Sequence, residues 1–216
     1  MKPIVYIDGQ NFLYKAAEVL IAAGRIEEKQ DLHTFSFRLL FTKLLKDDAL
    51  EIRYYGTRLR RYSEPQEIAE KSRIMLDSQR RLRNSLKSQN VAFIESGNLK
   101  LRDGDKCKHC GKQDSHFQEK GVDVRIAVDL LQSAHEGKTD SFVLVSSDTD
   151  LLPPVQYLKS LDKKVIYVGF SDKLTNALNS NASETQVIRD NEILEAFDAL
   201  NPQTTLKSSP RTSKKS

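Results

Sequence analysis

The chain has 216 residues, of which 38% are hydrophobic, and 34 Lys and Arg against 30 Asp and Glu give it a net charge of +4. That is enough apolar content for a real core, while the lack of any apolar run near the roughly 20 residues of a membrane helix excludes a helical membrane protein. The start, MKPIVYID, enters a strand pattern without the basic and apolar regions of a signal peptide, so a cytoplasmic location is expected, where two cysteines make no disulfide framework.

The first predicted element is a strand, Pro3 to Asp8, whose continuous apolar run Ile4, Val5, Tyr6, Ile7 fits burial on both faces. A helix follows over Phe12 to Ala23, ended near Gly24, then a second helix over Thr34 to Lys46 and a strand over Leu50 to Gly56. A long basic helix from about Pro65 to Gln89 carries Ile74, Met75, Leu82 and Leu86 at helical spacing, one apolar stripe against one basic face. That face is either a solvated surface or a set of phosphate contacts. A third strand spans Val91 to Glu95. From Ser96 to Lys120 the periodicity breaks among glycines and polar residues, which reads as an inserted loop or small hairpin. Periodicity resumes with a helix from Val122 to His135, a strand from Ser141 to Val145, a helix from Leu151 to Leu161 and a strand from Lys164 to Val168. A short helix near Lys173 to Asn179, a weak strand at Gln186 to Ile188 and a helix from Asn191 to Leu200 complete the body. Strands alternating with helices give an α/β fold with a mostly parallel sheet, over one domain at 1–200 with a basic, disordered tail at 201–216.

Two acidic clusters stand at predicted strand ends, Asp8 in IVYIDGQN and Asp148 with Asp150 in FVLVSSDTD. In open α/β sheets the carboxyl ends of the strands border the ligand crevice, so both clusters point to one place. Asp8 could simply hydrogen-bond local amides, Gly9 permits a tight turn, and Asn11 reads as an ordinary helix N-cap. Asp150 also reads as an N-cap, but two carboxylates in an Asp-x-Asp turn suit an oxygen-liganded site for magnesium or manganese. Asp123 lies in the first turn of the helix from Val122, where the helix dipole favours it and where it would also suit metal ligation. Asp129, six residues on, is rotated well away from Asp123 and ranks below it.

The three blocks IVYIDGQN, KGVDVRIAVDLL and FVLVSSDTDLLPPVQYLKSLDKKVIYVG, taken in that order, resemble the NYN domain, a PIN-like nuclease fold, and most closely its LabA-like bacterial branch. The resemblance implies a PIN-like three-layer αβα sandwich and a magnesium- or manganese-dependent ribonuclease whose site positions are Asp8, Asn11, Asp123, Asp148 and Asp150. Some relatives are known mainly as regulators, so a non-catalytic RNA-binding module is the alternative. An Asp-x-Asp phosphatase or phosphotransferase is a third reading, weakened because Asp8 is followed by Gly9 and Gln10 where that class has its second aspartate.

RNA is the expected partner, with a second copy of the chain as a candidate for a homodimer. Lys120, Ser147 and the Arg58, Arg60, Arg61 cluster are the candidate substrate contacts, since clustered cations beside a metal site suit a polyanion. Tyr54, Tyr55 and Tyr62 lie among those arginines and are candidates for stacking on RNA bases. Tyr54 and Tyr55 must face opposite sides of their strand, and packing is expected of at least one. In the insertion, Cys107-Lys108-His109-Cys110-Gly111 has the C-x-x-C-G form of a zinc knuckle, with His116 as a third ligand and Asp114 or a second molecule completing the set. The alternative is a polar loop with two reduced cysteines.

Overall fold

The computed structural model describes residues 1–106, 113–172 and 174–202. Among them, seven strands form one sheet in the order β4-β3-β2-β1-β5-β6-β7. These are β1 (Ile4–Asp8), β2 (Glu51–Arg58), β3 (Val91–Lys106), β4 (Gln113–Lys120), β5 (Ser141–Val145), β6 (Lys164–Phe170) and β7 (Glu184–Ile188). Every pairing is parallel except β3 with β4. The helices are α1 (Gly9–Ala22), α2 (Phe37–Leu45), α3 (Gln66–Ser88), α4 (Val122–His135), α5 (Leu152–Ser160), α6 (Asn176–Asn181) and α7 (Asp190–Asp198).

The central strand β1 is buried along its whole length, as its unbroken apolar run requires. Its side chains alternate between two cores. Val5 and Ile7 join Phe12 and Leu20 of α1, Phe41 of α2 and Phe197 of α7, whereas Ile4 and Tyr6 join Ile126 and Leu130 of α4 and Leu158 of α5. The result is the expected three-layer αβα sandwich. Phe12 anchors one layer, with ring centroids of Phe35, Phe37 and Phe170 at 5.5, 5.2 and 5.6 Å. Tyr54 and Tyr55 divide between the same two cores, and both are packing residues.

Two expectations need correction and one is narrowed. Of the inserted loop or small hairpin expected over Ser96 to Lys120, the hairpin is found, built into the sheet: β3 continues from Val91 to Lys106, and β4 pairs back along it from Asn98↔Lys120 to Lys106↔Gln113. The short polar residues hid a strand because edge positions need no apolar alternation. The helix expected over Thr34 to Lys46 starts only at Phe37, where Ser36 accepts a hydrogen bond from the Leu39 amide, and a 3-10 turn, Lys29–Thr34, precedes it. Gly9, finally, serves close packing rather than a turn. A Cβ there would lie 2.4 Å from both a Tyr54 ring carbon and the Tyr55 carbonyl.

The arginines of α3 are largely engaged on the protein itself. Arg73 pairs with Glu70 and Asp77, Arg80 with Asp77, and Arg83 with Glu95. Between the two readings of this face, those pairings favour a solvated surface. Among the described residues, no helix is long and apolar enough to cross a membrane. Cys107 and Cys110, and the tail beyond residue 202, lie outside the described residues.

Candidate active site

Strand order runs outward from β1 through β2, β3 and β4 on one side, and from β5 through β6 and β7 on the other, so the direction of winding switches between β1 and β5. Adjacent strands whose following segments diverge leave a crevice at their carboxyl ends. A cleft of about 710 Å³ occupies that position, and its lining includes Asp8, Asn11, Lys15, Glu119, Lys120, Asp123, Ser147 and Asp148.

Asp8 ends β1 and is the N-cap of α1, accepting from the Asn11 amide at 3.1 Å. Asn11 is therefore not the cap. Its side chain reaches across the switch point instead, donating to Ser147 Oγ at 2.8 Å while its Oδ1 accepts from the Ser147 amide at 3.2 Å. Beside this clasp, Ser146 Oγ donates to Asp8 Oδ2 at 3.0 Å and accepts from the Asp148 amide at 3.1 Å. The β1–α1 and β5–α5 connections are thus fixed to each other by three hydrogen bonds. Thr175 Oγ1 adds a bond to the Ser147 carbonyl at 2.9 Å. Ser147, expected to contact the substrate, is engaged by Asn11, and Ser146 holds Asp8 and Asp148.

Asp148, and not Asp150, caps the turn after β5, accepting from the Asp150 amide at 2.9 Å. Asp150 is exposed and outside the residues that line the cleft, so the structure does not bring this carboxylate to the others. Asp123 enters from α4, whose first residues follow Gly121 in the left-handed conformation at φ 82°. No side chain caps this helix, and Gly121 and Val122 line the cleft, so the positive end of the helix faces it.

The residue missed in the sequence is Glu119, the penultimate residue of β4. Burial, then the nearby Asp8 and Asp123 carboxylates, push its pKa up to about 7. Burial likewise raises Asp8, outweighing the hydrogen bonds from Asn11 and Ser146, with Asp148 and Asp123 adding to the rise. Gln10, with its amide nitrogen turned to Glu119, donates to both carboxylate oxygens at 3.1 and 3.2 Å. Lys15 was also missed. It is 8% exposed, with Nζ 3.4 Å from both Glu18 and Asp172. Its spacing of four from Asn11 along α1 was the available signal. For Glu119 there was none, because its strand was not recognised.

The other expected contacts lie elsewhere. Arg58 is exposed and pairs with Glu95 at 3.3 Å, Arg60 borders a separate groove with Tyr62 and Lys100, and Arg61 is exposed; none of the three lines the cleft. His116 is exposed on β4, opposite Arg102. Asp129, set aside in the sequence, is 6% exposed and is held between Tyr55 Oη at 2.9 Å and Arg125 Nε at 2.8 Å. Asp129→Asn should therefore cost about 1–3 kcal/mol in a denaturant titration by weakening a buried charged hydrogen bond. Any activity per folded molecule should be unchanged.

A divalent cation fits the donor chemistry of the cleft. Its carboxylates raise one another's pKa, which is the repulsion a bound cation relieves. Among the described residues, no three acidic, His or Cys side chains already stand close enough to form a complete ligand set.

No match is found among curated proteins. Among solved structures, the fold is similar to the crystal structure of a protein of unknown function, VPA0982, from Vibrio parahaemolyticus RIMD 2210633. The identity is 20% and the TM-score 0.54, over 87% of this chain and 92% of that one. The NYN domain profile matches residues 2–190. With the αβα sandwich in place and that match spanning all seven strands, the chain belongs to the NYN domain family, within the PIN-like nuclease superfamily.

Proposed function

We propose that the protein is a metal-dependent endoribonuclease that hydrolyses RNA phosphodiester bonds in the acidic cleft. The observation that carries this reading is the convergence of Asp8, Glu119, Asp123 and Asp148, from four separate elements, on one cleft at the winding switch. Asp8, Asp123 and Asp148 are the residues that would hold Mg²⁺ or Mn²⁺, with Glu119 beside them. When bound, such an ion lowers the pKa of a water molecule and offsets charge developing on phosphate oxygens.

The chain's own groups supply the rest. The clasp of Asn11 to Ser147, and of Ser146 to Asp8 and Asp148, fixes the two principal carboxylates before substrate arrives, which removes reorganisation from the reaction. Lys120, exposed and lining the cleft, puts positive charge at the rim, where a polyanionic backbone crosses an otherwise acidic surface. The amide end of α4 faces the same space and favours a phosphate there.

Purified protein is expected to cleave a mixed RNA pool in Mg²⁺ or Mn²⁺, to stop in EDTA, and to lose cleavage on Asp148→Asn. Cleavage that survives both EDTA and that substitution would rule out the metal-dependent reading. A second reading, an RNA-binding regulator that keeps the acidic cleft, is favoured by the lack of a ready three-ligand group among the described residues. RNA binding without cleavage in any divalent ion would establish it.

A further inference from the structure

The hairpin of β3 and β4 has two faces of opposite chemistry. Directly opposed residues of antiparallel strands share a face, and the face alternates along each strand. The register Asn98↔Lys120, Lys100↔Gln118 and Arg102↔His116 therefore puts these six on one face, and Leu99, Leu101, Phe117 and Glu119 on the other. The second face is turned to the protein: Leu99 and Glu119 line a cavity bordered by α3, and Phe117 packs on Tyr62 with ring centroids at 5.5 Å. All four of its side chains are partly buried. On the first face every residue is exposed except Gln118.

That exposed face is basic without compensation. Lys100, Arg102 and Lys120 stand on it, and none of its six residues is a carboxylate. Among the described residues these three cations make no ion pair, whereas Arg73, Arg80 and Arg83 of α3 are each neutralised by an acidic neighbour. Charge that only kept a sheet edge from pairing with another chain could be of either sign. The row of cations also has a direction. Lys120 lines the acidic cleft, and Lys100 and Arg102 follow away from it at steps of about 7 Å, close to the step between neighbouring phosphates of an extended strand. Arg60, another exposed cation, borders the groove beside Lys100. Asp8, Glu119, Asp123 and Asp148 repel a polyanion, so a strand entering their cleft needs attraction from cations just outside it.

We propose that the exposed face of the β3–β4 hairpin carries the phosphate backbone of an RNA strand on one side of the bond held in the cleft, with Lys120 at the mouth and Lys100 and Arg102 at successive phosphates outward. Such contacts hold a strand in place without reading its sequence. One register then serves two ends: the inner face brings Glu119 to the other carboxylates, and the outer face leads the substrate to them. This inference rests on the nuclease reading for its substrate, but its test does not require cleavage.

The experiment is fluorescence anisotropy of the Asp148→Asn protein with a labelled single-stranded RNA, at a fixed low Mg²⁺ concentration and over a series of KCl concentrations. Adding Lys100→Gln with Arg102→Gln removes two cations from exposed positions and should leave the melting temperature of the parent unchanged. The slope of log affinity against log salt is expected to become shallower by about 1.4, two contacts at roughly 0.7 each for a single strand, with affinity several-fold lower at low salt whatever the RNA sequence. Arg73→Gln with Arg80→Gln makes the same change in net charge on α3 and should leave the slope as it is. Trimming the RNA from one end should reproduce the loss and erase the difference between parent and hairpin variant, while trimming from the other end should preserve it. An unchanged slope in the hairpin variant, an equal fall in the α3 variant, or a difference that survives trimming from both ends would overturn the proposal even if the wild-type protein cleaves RNA. The expected change of slope in a protein whose wild type never cleaves would uphold the phosphate track and remove the nuclease reading. Failure to bind any strand would overturn both.

Discussion

Asp8→Asn is expected to lower RNA cleavage by at least about 100-fold, the usual cost of deleting one preorganised electrostatic group, while leaving the metal-free protein as heat-stable as wild type or more so. The two effects share a cause. Asp8 is 9% exposed, and burial together with Asp148 and Asp123 makes its charge unfavourable in the fold. Asparagine keeps an oxygen to accept from the Asn11 amide and removes the charge, so the repulsion among carboxylates falls. Ser146 can rotate its hydroxyl to accept from the new amide. A cleft that is most stable when least able to bind a cation is the usual signature of a functional site set against stability. Measured together, single-turnover cleavage and thermal melting in EDTA check both halves. A variant that lost activity by unfolding, or one that melted well below wild type without metal, would show Asp8 to be a structural cap.

Melting temperature in EDTA should fall between about pH 5 and pH 8 and recover on addition of Mg²⁺ or Mn²⁺. Glu119 has its pKa pushed up to about 7 from an ordinary 4.5, first by burial and then by Asp8 and Asp123. In the window between those values the folded chain holds a proton that the unfolded chain has released. The contribution of that proton to stability therefore decreases as pH rises through that window and is lost in full above it. Discounted for the partial exposure of Glu119, the loss is on the order of 2 kcal/mol, or roughly 4–8 °C for a chain of this size. The surface carboxylates Glu70 and Glu184 work in the opposite sense, but their pKa values are lowered by Arg73 and Lys164, so they act below this window. Glu119→Gln should flatten the dependence, since glutamine can still accept from Gln10 without ionising. A cation that binds only the folded state adds stability by mass action, most where the carboxylates are ionised. A melting temperature that is flat in EDTA over the window, in wild type and Glu119→Gln alike, would show Glu119 to be ionised throughout.

Most of the core was legible because buried parallel strands and amphipathic helices write themselves as apolar runs and helical stripes. The helix Val122–His135 and the strand Ser141–Val145 match their predicted bounds, and β1 differs by a single residue. The edge was not legible. Residues 96–106 and 113–120 extend the sheet at its edge, and Leu99, Leu101 and Phe117 are too few apolar residues in an otherwise polar sequence to write a strand pattern. Losing that strand lost Glu119, the carboxylate that this hairpin carries back to the cleft. Glycine at 97 permits the return, with φ 63° and so little room that a Cβ would meet the Lys120 carbonyl at 2.1 Å. The pairing of Asp8 with Asp148 was readable from strand ends, whereas the placement of Asp150 was not. Capping geometry turned it outward, and spacing along the chain does not determine which of two neighbouring carboxylates a turn presents. The arginines were misplaced for a related reason. A cluster of cations in sequence records charge, but the carboxylates that neutralise Arg73, Arg80 and Arg83 become neighbours only in the helix and sheet.

The winding switch between β1 and β5 has a consequence for synthesis on the ribosome. Asp8 is made some 140 residues before its partners across the switch, Ser146 and Asp148, and Glu119 and Asp123 arrive only shortly before them. Until β5 has emerged, β1 is paired on one side alone and half of the cleft does not exist. A nascent chain that has made Asp8 is therefore without a complete acidic site until the intervening 140 or so residues have been added to it on its own messenger RNA.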